Sequence, residues 1–305
     1  MPTPMFDSVS TLQRLVDAWP ENSSGGGRSI TVGLVGRGIQ ASRSPIMHER
    51  EGARLGIRYR YVLIDFDQLG LPDQALGDVV AAAERLGFAG LNITYPFKQT
   101  IIPSLTGLAD VSGLIGAVNT VVFSSGERIG HNTDSGGFTD SFAANMADCS
   151  LGCVLQLGAG GAGMAVGHAL LTLGAIELLV FDIDRQRAQH LAKILQDWSG
   201  RRVEALPSPD SGIDRADGIV NTTPVGMTKH PGLPLRAELL SPRHWVAEVV
   251  YFPPETELIR HAQALGCRTM TGTGMAIQQA VLSFELFAGV SADRAAMSEH
   301  FEAAA

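Results

Sequence analysis

Short apolar runs alternate along this chain with longer segments of helical period, the signature of a repeating strand–helix unit. Ile30–Val35, Tyr59–Ile64 and Phe88–Ile93 predict strands in the first half. Between them, Pro45–Leu55 predicts a helix with Ser44 as N-cap and proline at its first position. Residues 72–86 predict an alanine-rich helix stopped by Gly87. Val118–Phe123 and Arg128–His131 flank Ser-Ser-Gly-Glu and predict a hairpin. The first half therefore reads as βαβαβ ending in an antiparallel pair, with a helix over 135–147 leading out of it.

The second half repeats the alternation more strictly. Val154–Leu157, Glu177–Phe181, Val203–Leu206, Gly218–Asn221, Trp245–Val250 and Arg268–Thr271 predict strands. Helices are expected up to Leu173, closed by Gly174, then over 184–198 and Glu255–Leu265. This is the pattern of a doubly wound parallel sheet. Residues 274–288 predict a final amphipathic helix that returns to the first domain. The expected fold is α/β in two domains, 30–134 with 275–305 and 135–274. Residues 1–29 read as a separate extension. Leu12, Leu15, Val16 and Trp19 have helical spacing, and Glu21 to Gly27 reads as a flexible linker. The plain reading is a mobile extension; the sharper one is an arm packing on the partner subunit of a homodimer.

Composition narrows the function. The chain has 305 residues, 45% hydrophobic and 18% charged, which suits a globular enzyme and excludes a charged disordered tail. Lys plus Arg is 23 against 31 Asp plus Glu, a net charge of −8 with no basic stripe. No nucleic-acid partner is expected, and an anionic ligand has to be held by a local site. Cys149, Cys153 and Cys267 are too few for a disulfide framework and lack metal-ligand spacing, so no metal is expected. Reduced cysteines, no membrane-spanning apolar run and no secretory signal together imply a cytoplasmic protein.

The chemistry starts at Gly158-x-Gly160-x-x-Gly163, which sits between a strand and a helix. The first glycine allows the tight turn, the second lets backbone approach a pyrophosphate, and the third lets the helix pack closely. Asp182 closes the next strand, where a carboxylate accepts hydrogen bonds from an adenine ribose. It would repel a 2′-phosphate, and apolar Ile183 offers no counter-charge, so NAD is favoured over NADP. Arg185 and Arg187 lie a few residues into the next helix. Arg187 has reach to the ribose or pyrophosphate, although both arginines also suit a solvated face.

A second motif, Asn92-Ile-Thr94-Tyr-Pro96-Phe-Lys98, follows a strand and brings Lys98 to the sheet edge on a short helix. Asp134 also follows a strand end. A carboxylate beside an ammonium holds it and tunes its proton affinity. By themselves these two read as a surface lysine and a capping aspartate, and Ser42-Arg-Ser44 as a helix cap.

Together the pieces resemble the shikimate/quinate dehydrogenase family over about residues 30–300. The resemblance rests on Ser42-Arg-Ser-Pro45, Leu91–Lys98, Gly116-Ala-Val-Asn-Thr120, Asn132-Thr-Asp134 and Gly158-Ala-Gly-Gly161. It continues through Asn221–Met227, Val250-Tyr251 and Gly274–Gln279. Within that family the chain looks most like the NAD-using bacterial enzymes. The resemblance implies a substrate domain, a Rossmann-type dinucleotide domain and a cleft between them. It implies that Ser42, Ser44 and Tyr251 bind a substrate carboxylate, and that Asn92, Thr94, Asn119 and Gln279 bind ring hydroxyls and carboxylate. Lys98 and Asp134 match the catalytic pair. Gly158, Ala159, Gly160, Gly161, Gly163, Asp182, Arg187, Thr222, Pro224 and Met275 match cofactor positions.

The implied reaction is reversible oxidation of quinate to 3-dehydroquinate, or of shikimate to 3-dehydroshikimate. NADP-using relatives carry Asn-Arg-Thr where this chain has Asp182-Ile-Asp184. Glu248 replaces a usual Asp, and Gln278 stands where Gly is frequent. Two other readings stay open. One is a quinate- or shikimate-sensing binding protein, the other a methylene-folate-type dehydrogenase on a related fold.

Overall fold

The structure is a computed structural model that describes residues 8–17 and 27–303. Trp19 and most of the expected linker, residues 21–26, lie outside the described residues. The chain divides into two compact units, Met1–Thr133 with Ala280–Ala305, and Asp134–Gln279. The sequence pattern puts the divisions after 134 and 274; the units change after 133 and, inside a helix, after 279.

The first unit contains α1 (Ser8–Asp17), β1 (Ser29–Gly36), α2 (Ser44–Arg54), β2 (Arg58–Asp65), α3 (Leu76–Arg85) and β3 (Gly90–Ile93). It continues with β4 (Gly107–Leu108), α4 (Asp110–Ile115), β5 (Thr120–Ser124) and β6 (Glu127–His131). The sheet order is β2-β1-β3-β5-β6-β4. β1 is parallel to β2 and β3, and β5 is antiparallel to both β3 and β6. The expected hairpin turns at Ser125 and Gly126, with φ of 51° and 81°. The short β4 and α4 fall below the length at which apolar period is visible.

Three local expectations change. The segment 72–86 is a 3₁₀ turn at Asp73–Ala75 followed by α3. The N-cap of α2 is Arg43, not Ser44, and Ser44 is the first helical residue. Its N–H donates to Ser42 Oγ at 3.3 Å, so Ser42 supplies the capping oxygen. The third change is the N-terminal helix. Leu12 is fully buried in the core that contains Val79, Val80 and Ala83 of α3, with Val9, Leu15 and Val16 packed beside it. The apolar face of α1 is thus spent on its own chain. It is packed on the first unit's core and does not stand as a separate extension, since burying that face removes apolar area from water.

The second unit opens at α5 (Thr133–Asn145) and runs through β7 (Cys153–Leu157), α6 (Gly161–Leu173), β8 (Glu177–Phe181), α7 (Arg185–Ser199) and β9 (Arg202–Ala205). β10 (Gly218–Asn221), β11 (Trp245–Glu248), α8 (Glu257–Ala264), β12 (Arg268–Met270) and α9 (Gly272–Ala288) complete it. All its strands are parallel, in the order β12-β11-β10-β7-β8-β9. The order reverses at β7, which pairs with β8 on one side and β10 on the other. In such sheets ligands bind outside the carboxyl ends of the strands at this switch point.

The last turns of α9 belong to the first unit. There a Cβ on Gly90 would lie 2.4 Å from the Phe287 ring. α10 (Arg294–Glu302) packs on α2, with Arg43 4.7 Å from the Phe301 ring centroid. This helix is absent from the sequence reading, which stops at 288. Among the described residues no helix is long and apolar enough to cross a membrane.

Candidate active site

In the first unit the loop carrying Ser42 and Ser44 is braced by a carboxylate. Asp65, at the end of β2 and almost fully buried, accepts the N–H groups of Gly38, Ile39 and Asp67 and the Gln40 amide, at 2.9–3.1 Å. Burial raises its proton affinity, but the hydrogen bonds outweigh that and hold Asp65 below the usual carboxylate range. Ser42 and Ser44 are half-buried just beyond this brace.

β3 ends in the Asn92–Lys98 motif. Thr94 continues the sheet pairing by donating its N–H to Val35 O at 2.9 Å. Past it, the expected short helix does not form. Residues 95–101 run as successive turns, with Phe97 N–H bonded to Thr94 O and Ile101 N–H to Phe97 O. Lys98 sits in these turns, half-buried, and its own carbonyl accepts the N–H of Val118 at 2.7 Å. Phe97 and Ile101 are buried on either side, which anchors the segment to the core.

The amide side chains around β3 and β5 are tied to one another. Asn92 Oδ1 accepts the Tyr61 hydroxyl at 2.7 Å, and Asn92 Nδ2 donates to Thr120 Oγ1 at 3.0 Å and Asn119 O at 3.3 Å. Asn119 Nδ2 donates to Thr133 Oγ1 at 2.9 Å, while Asn119 Oδ1 accepts the Thr133 N–H at 2.8 Å. Asp134 is the next residue, buried in the first turn of α5, where a negative charge is favoured by the helix dipole.

The second unit builds a different kind of site. Gly158 has φ of 103°, and a Cβ there would lie 2.7 Å from Thr222 Oγ1. A Cβ on Gly163 would lie 2.4 Å from Gly158 O. Both positions exclude a side chain. At Gly160 a Cβ would meet nothing within 4 Å. Gly160 is also the N-cap of α6 and supplies no side-chain cap, so the first amides of a 13-residue helix are left for a ligand. These features fit a pyrophosphate lying over the turn. Side chains beneath hold the loop rigid: Gln156 Nε2 donates to Gly158 O and Gly163 O, and Thr222 Oγ1 donates to Leu157 O and Gly158 O.

Asp182 takes part in the same brace. Its Oδ2 accepts the Ala159 N–H at 2.7 Å and its Oδ1 the Asp184 N–H at 2.8 Å. Each oxygen keeps a second lone pair. Ile183 is 96% exposed. Asp184, the N-cap of α7, accepts from Gln186 and Arg187. The Arg187 guanidinium lies 3.4 Å from Asp184 and is mostly exposed, so in this structure it pairs with its own helix cap.

Glu248, fully buried at the end of β11, organises the remaining loops. It accepts from Asn221 Nδ2, Thr256 Oγ1 and the N–H groups of Val249 and Val250. Burial pushes Glu248 up to about 7, opposed by these hydrogen bonds. Asn221 lies at the root of the segment carrying Thr222 and the exposed Pro224, and Val250 precedes the exposed Tyr251. In α9, Met275 is buried and Gln279 Nε2 donates to Ala276 O. Among the described residues no group of three or more His, Cys, Asp or Glu is placed to hold a metal ion.

The first unit therefore gathers Ser42, Ser44, Asn92, Thr94, Lys98 and Asn119. Asp134, Tyr251, Gln279 and the cofactor positions belong to the second. The sequence reading missed Tyr61, Asp65 and Gln156. Gln156 carries a visible signal, a single amide inside the apolar strand Cys153–Leu157. Asp65 and Tyr61 carry none, because the loop that Asp65 braces and the Asn92 that Tyr61 meets lie more than 20 residues away along the chain.

A family model described as the shikimate dehydrogenase substrate binding domain matches residues 34–121. One described as the shikimate 5′-dehydrogenase C-terminal domain matches residues 272–300. The shikimate dehydrogenase (NADP(+)) of Streptomyces avermitilis is 55% identical over 268 residues, 87% of this chain and 92% of its own. The quinate/shikimate dehydrogenase (NAD(+)) of Corynebacterium glutamicum is 45% identical over 279 residues, 90% of this chain and 98% of its own. Among solved structures, quinate dehydrogenase from Corynebacterium glutamicum in complex with NAD superposes with a TM-score of 0.84 at 44% identity, covering 91% of this chain and 100% of that one. With about half its residues shared over most of its length, and the motifs of both units in place, the chain belongs to the shikimate dehydrogenase family.

Proposed function

We propose that this chain is a dehydrogenase that reversibly oxidises a ring hydroxyl of quinate, shikimate or both, with NAD as the preferred cofactor. The first unit binds the acid and the second the dinucleotide. The observation that carries the reading is the Asn92–Lys98 segment. It sets a lysine beyond a cluster of buried amides, in a chain whose other unit presents an uncapped glycine turn at its switch point.

Ser42 and Ser44 hold the carboxylate, and Asn92, Thr94 and Asn119 the ring. Hydroxyls and amides suit a polyol acid because each donates and accepts. Lys98 takes the proton of the reacting hydroxyl, and Asp134 binds that hydroxyl and keeps the lysine in place. Bound over Gly158–Gly163, with Thr222, Pro224 and Met275 beside it, a nicotinamide dinucleotide supplies the hydride acceptor. The protein's task is then orientation and the movement of one proton. Free cysteines, two of them buried, agree with a cytoplasmic setting.

Cofactor choice rests on side chains, since the relatives carry both NAD and NADP in their names. A 2′-phosphate would meet the Asp182 carboxylate and the uncharged Ile183. The test is steady-state kinetics of quinate and shikimate, each with NAD⁺ and NADP⁺. We expect NAD⁺ to lead by at least about 100-fold in kcat/KM, since each 1.4 kcal/mol is about tenfold. Equal use of NADP⁺ overturns the cofactor reading and gives the phosphate to Arg185 or Arg187. No reduced dinucleotide with either acid, alongside ligand-induced stabilisation, replaces the enzyme with a sensor.

A further inference from the structure

Two backbone groups with only one hydrogen-bonding role each bound the amide cluster of the first unit. The Thr133 N–H can only donate, and it faces Asn119 Oδ1 at 2.8 Å. The Asn119 carbonyl can only accept, and it faces Asn92 Nδ2 at 3.3 Å. These fix both amides against flipping. The Thr120 hydroxyl then sends its proton to Asn119 Oδ1, at 3.2 Å, and its oxygen accepts from Asn92 Nδ2, at 3.0 Å. Both Nδ2 protons of Asn92 are spent. On its oxygen, one lone pair takes the Tyr61 hydroxyl at 2.7 Å. All five residues are buried, Asn92 with 6% of its surface left. The Tyr61 ring is itself held edge-on by His48, 4.9 Å between centroids.

We propose that Tyr61 is a positioning residue that sets the direction in which Asn92, its Nδ2 protons already spent, acts as a pure acceptor toward the substrate. The one hydrogen-bonding position left on the Asn92 side chain is the second lone pair of Oδ1. It reads a ring hydroxyl by its proton and rejects a group that cannot donate. This rests on the assignment of Asn92 to the substrate site above, and adds the polarity of the contact and the residue that holds its direction. Removing the Tyr61 hydroxyl leaves the Nδ2 bonds in place but takes from Oδ1 the partner that holds its direction, so its bond to the ring hydroxyl weakens.

The test uses the full-length enzyme, wild type and Tyr61→Phe, with shikimate and two analogues. In each analogue one of the two non-reacting ring hydroxyls is replaced by fluorine, which is similar in size but cannot donate. In the wild type, one analogue should lose at least about tenfold in kcat/KM, the worth of one hydrogen bond. In Tyr61→Phe, KM for shikimate should rise about tenfold on the same basis, with little change in kcat or in KM for the dinucleotide. Its discrimination against that analogue should shrink to within about threefold, the remainder once the Asn92 bond to the ring hydroxyl is weakened. Unchanged KM and discrimination in Tyr61→Phe, or two fully tolerated analogues, overturns the proposal.

Should Tyr61→Phe fail to fold, Thr120→Val is expected to reproduce the loss and Thr120→Ser, which keeps the hydroxyl, to restore it. Equal behaviour of those two overturns the proposal as well. If the wild type oxidises neither acid, the proposed activity fails, and the network is judged separately by calorimetric Kd for shikimate. The same tenfold weakening in Tyr61→Phe supports the proposal there, and an unchanged Kd sinks it.

Discussion

The two units build their proposed sites by opposite means. In the second, backbone amides at the start of α6 are left without a side-chain cap, and Gln156 and Asp182 stiffen the loop from below. In the first, the proposed ligand groups are side chains, of which Asn92 and Asn119 are oriented by other side chains. A phosphate needs little more than converging N–H groups and a helix dipole, so one turn of the chain suffices. A polyol acid presents several hydroxyls in fixed directions, so its recognition requires donors and acceptors from strands far apart in sequence. The backbone site excludes a Cβ at Gly158 and Gly163. The side-chain site depends on which atom donates.

Separate substitutions can break this division of labour. The largest effect is expected from Lys98→Ala, which should lower kcat by about 10²–10⁴-fold with little change in dinucleotide affinity, as loss of a general base does. Near-normal kcat in the folded variant would remove Lys98 from the chemistry. Next is Gly163→Ala, whose Cβ would sit 2.4 Å from Gly158 O. Dinucleotide Kd, read by fluorescence titration, should rise by at least about 100-fold, several kcal/mol of strain and lost contact. Affinity for the acid alone should hold. A parallel loss of both affinities would mean that the units are not separable in this way.

Leu12→Ala tests stability without touching either site. Leu12 is fully buried against α3, so denaturant unfolding should show a loss of about 2–3 kcal/mol, at the low end for buried leucines. Unchanged stability would return α1 to the status of a loose extension.

The smallest effect concerns pH, and it belongs to the first unit's aromatic cluster. Burial pushes His48 down to about 3. The unfolded chain takes up this proton near 6.5, and the folded protein refuses it until about 3. The stabilisation is complete above 6.5 and is lost as pH falls below it, by up to about 1.4 kcal/mol for each unit. His48→Phe should flatten stability between pH 6.5 and 5 relative to the wild type. An identical slope in both proteins would assign the acid lability to other groups.

Much of the cofactor unit could be read directly along the chain. Glu177–Phe181 and Gly218–Asn221 are strands with the predicted ends, and Gly174 closes α6 with φ of 113°. The glycine turn lies at the predicted junction. Each of these depends on neighbours within a few residues, where period, capping and φ constraints act. Even here Asp182 gained a second role, since its bond to the Ala159 N–H joins two loops that the chain separates by 23 positions.

The chain's order of residues determined the α/β alternation, the glycine turn, the family and the placing of Lys98 and Asp134 just past strand ends. Those features are local, or are carried by motifs whose spacing is itself the signal. Tertiary structure alone decided that α1 belongs to the first core. It alone decided that residues 95–101 turn without forming a helix. It also decided the direction of every hydrogen bond around Asn92, from Tyr61 on a neighbouring part of the sheet to Thr133 at the start of α5. The physical reason is the same throughout. A buried polar atom must find a partner in whatever the fold brings within about 3 Å, and distance along the chain does not constrain which atom that is.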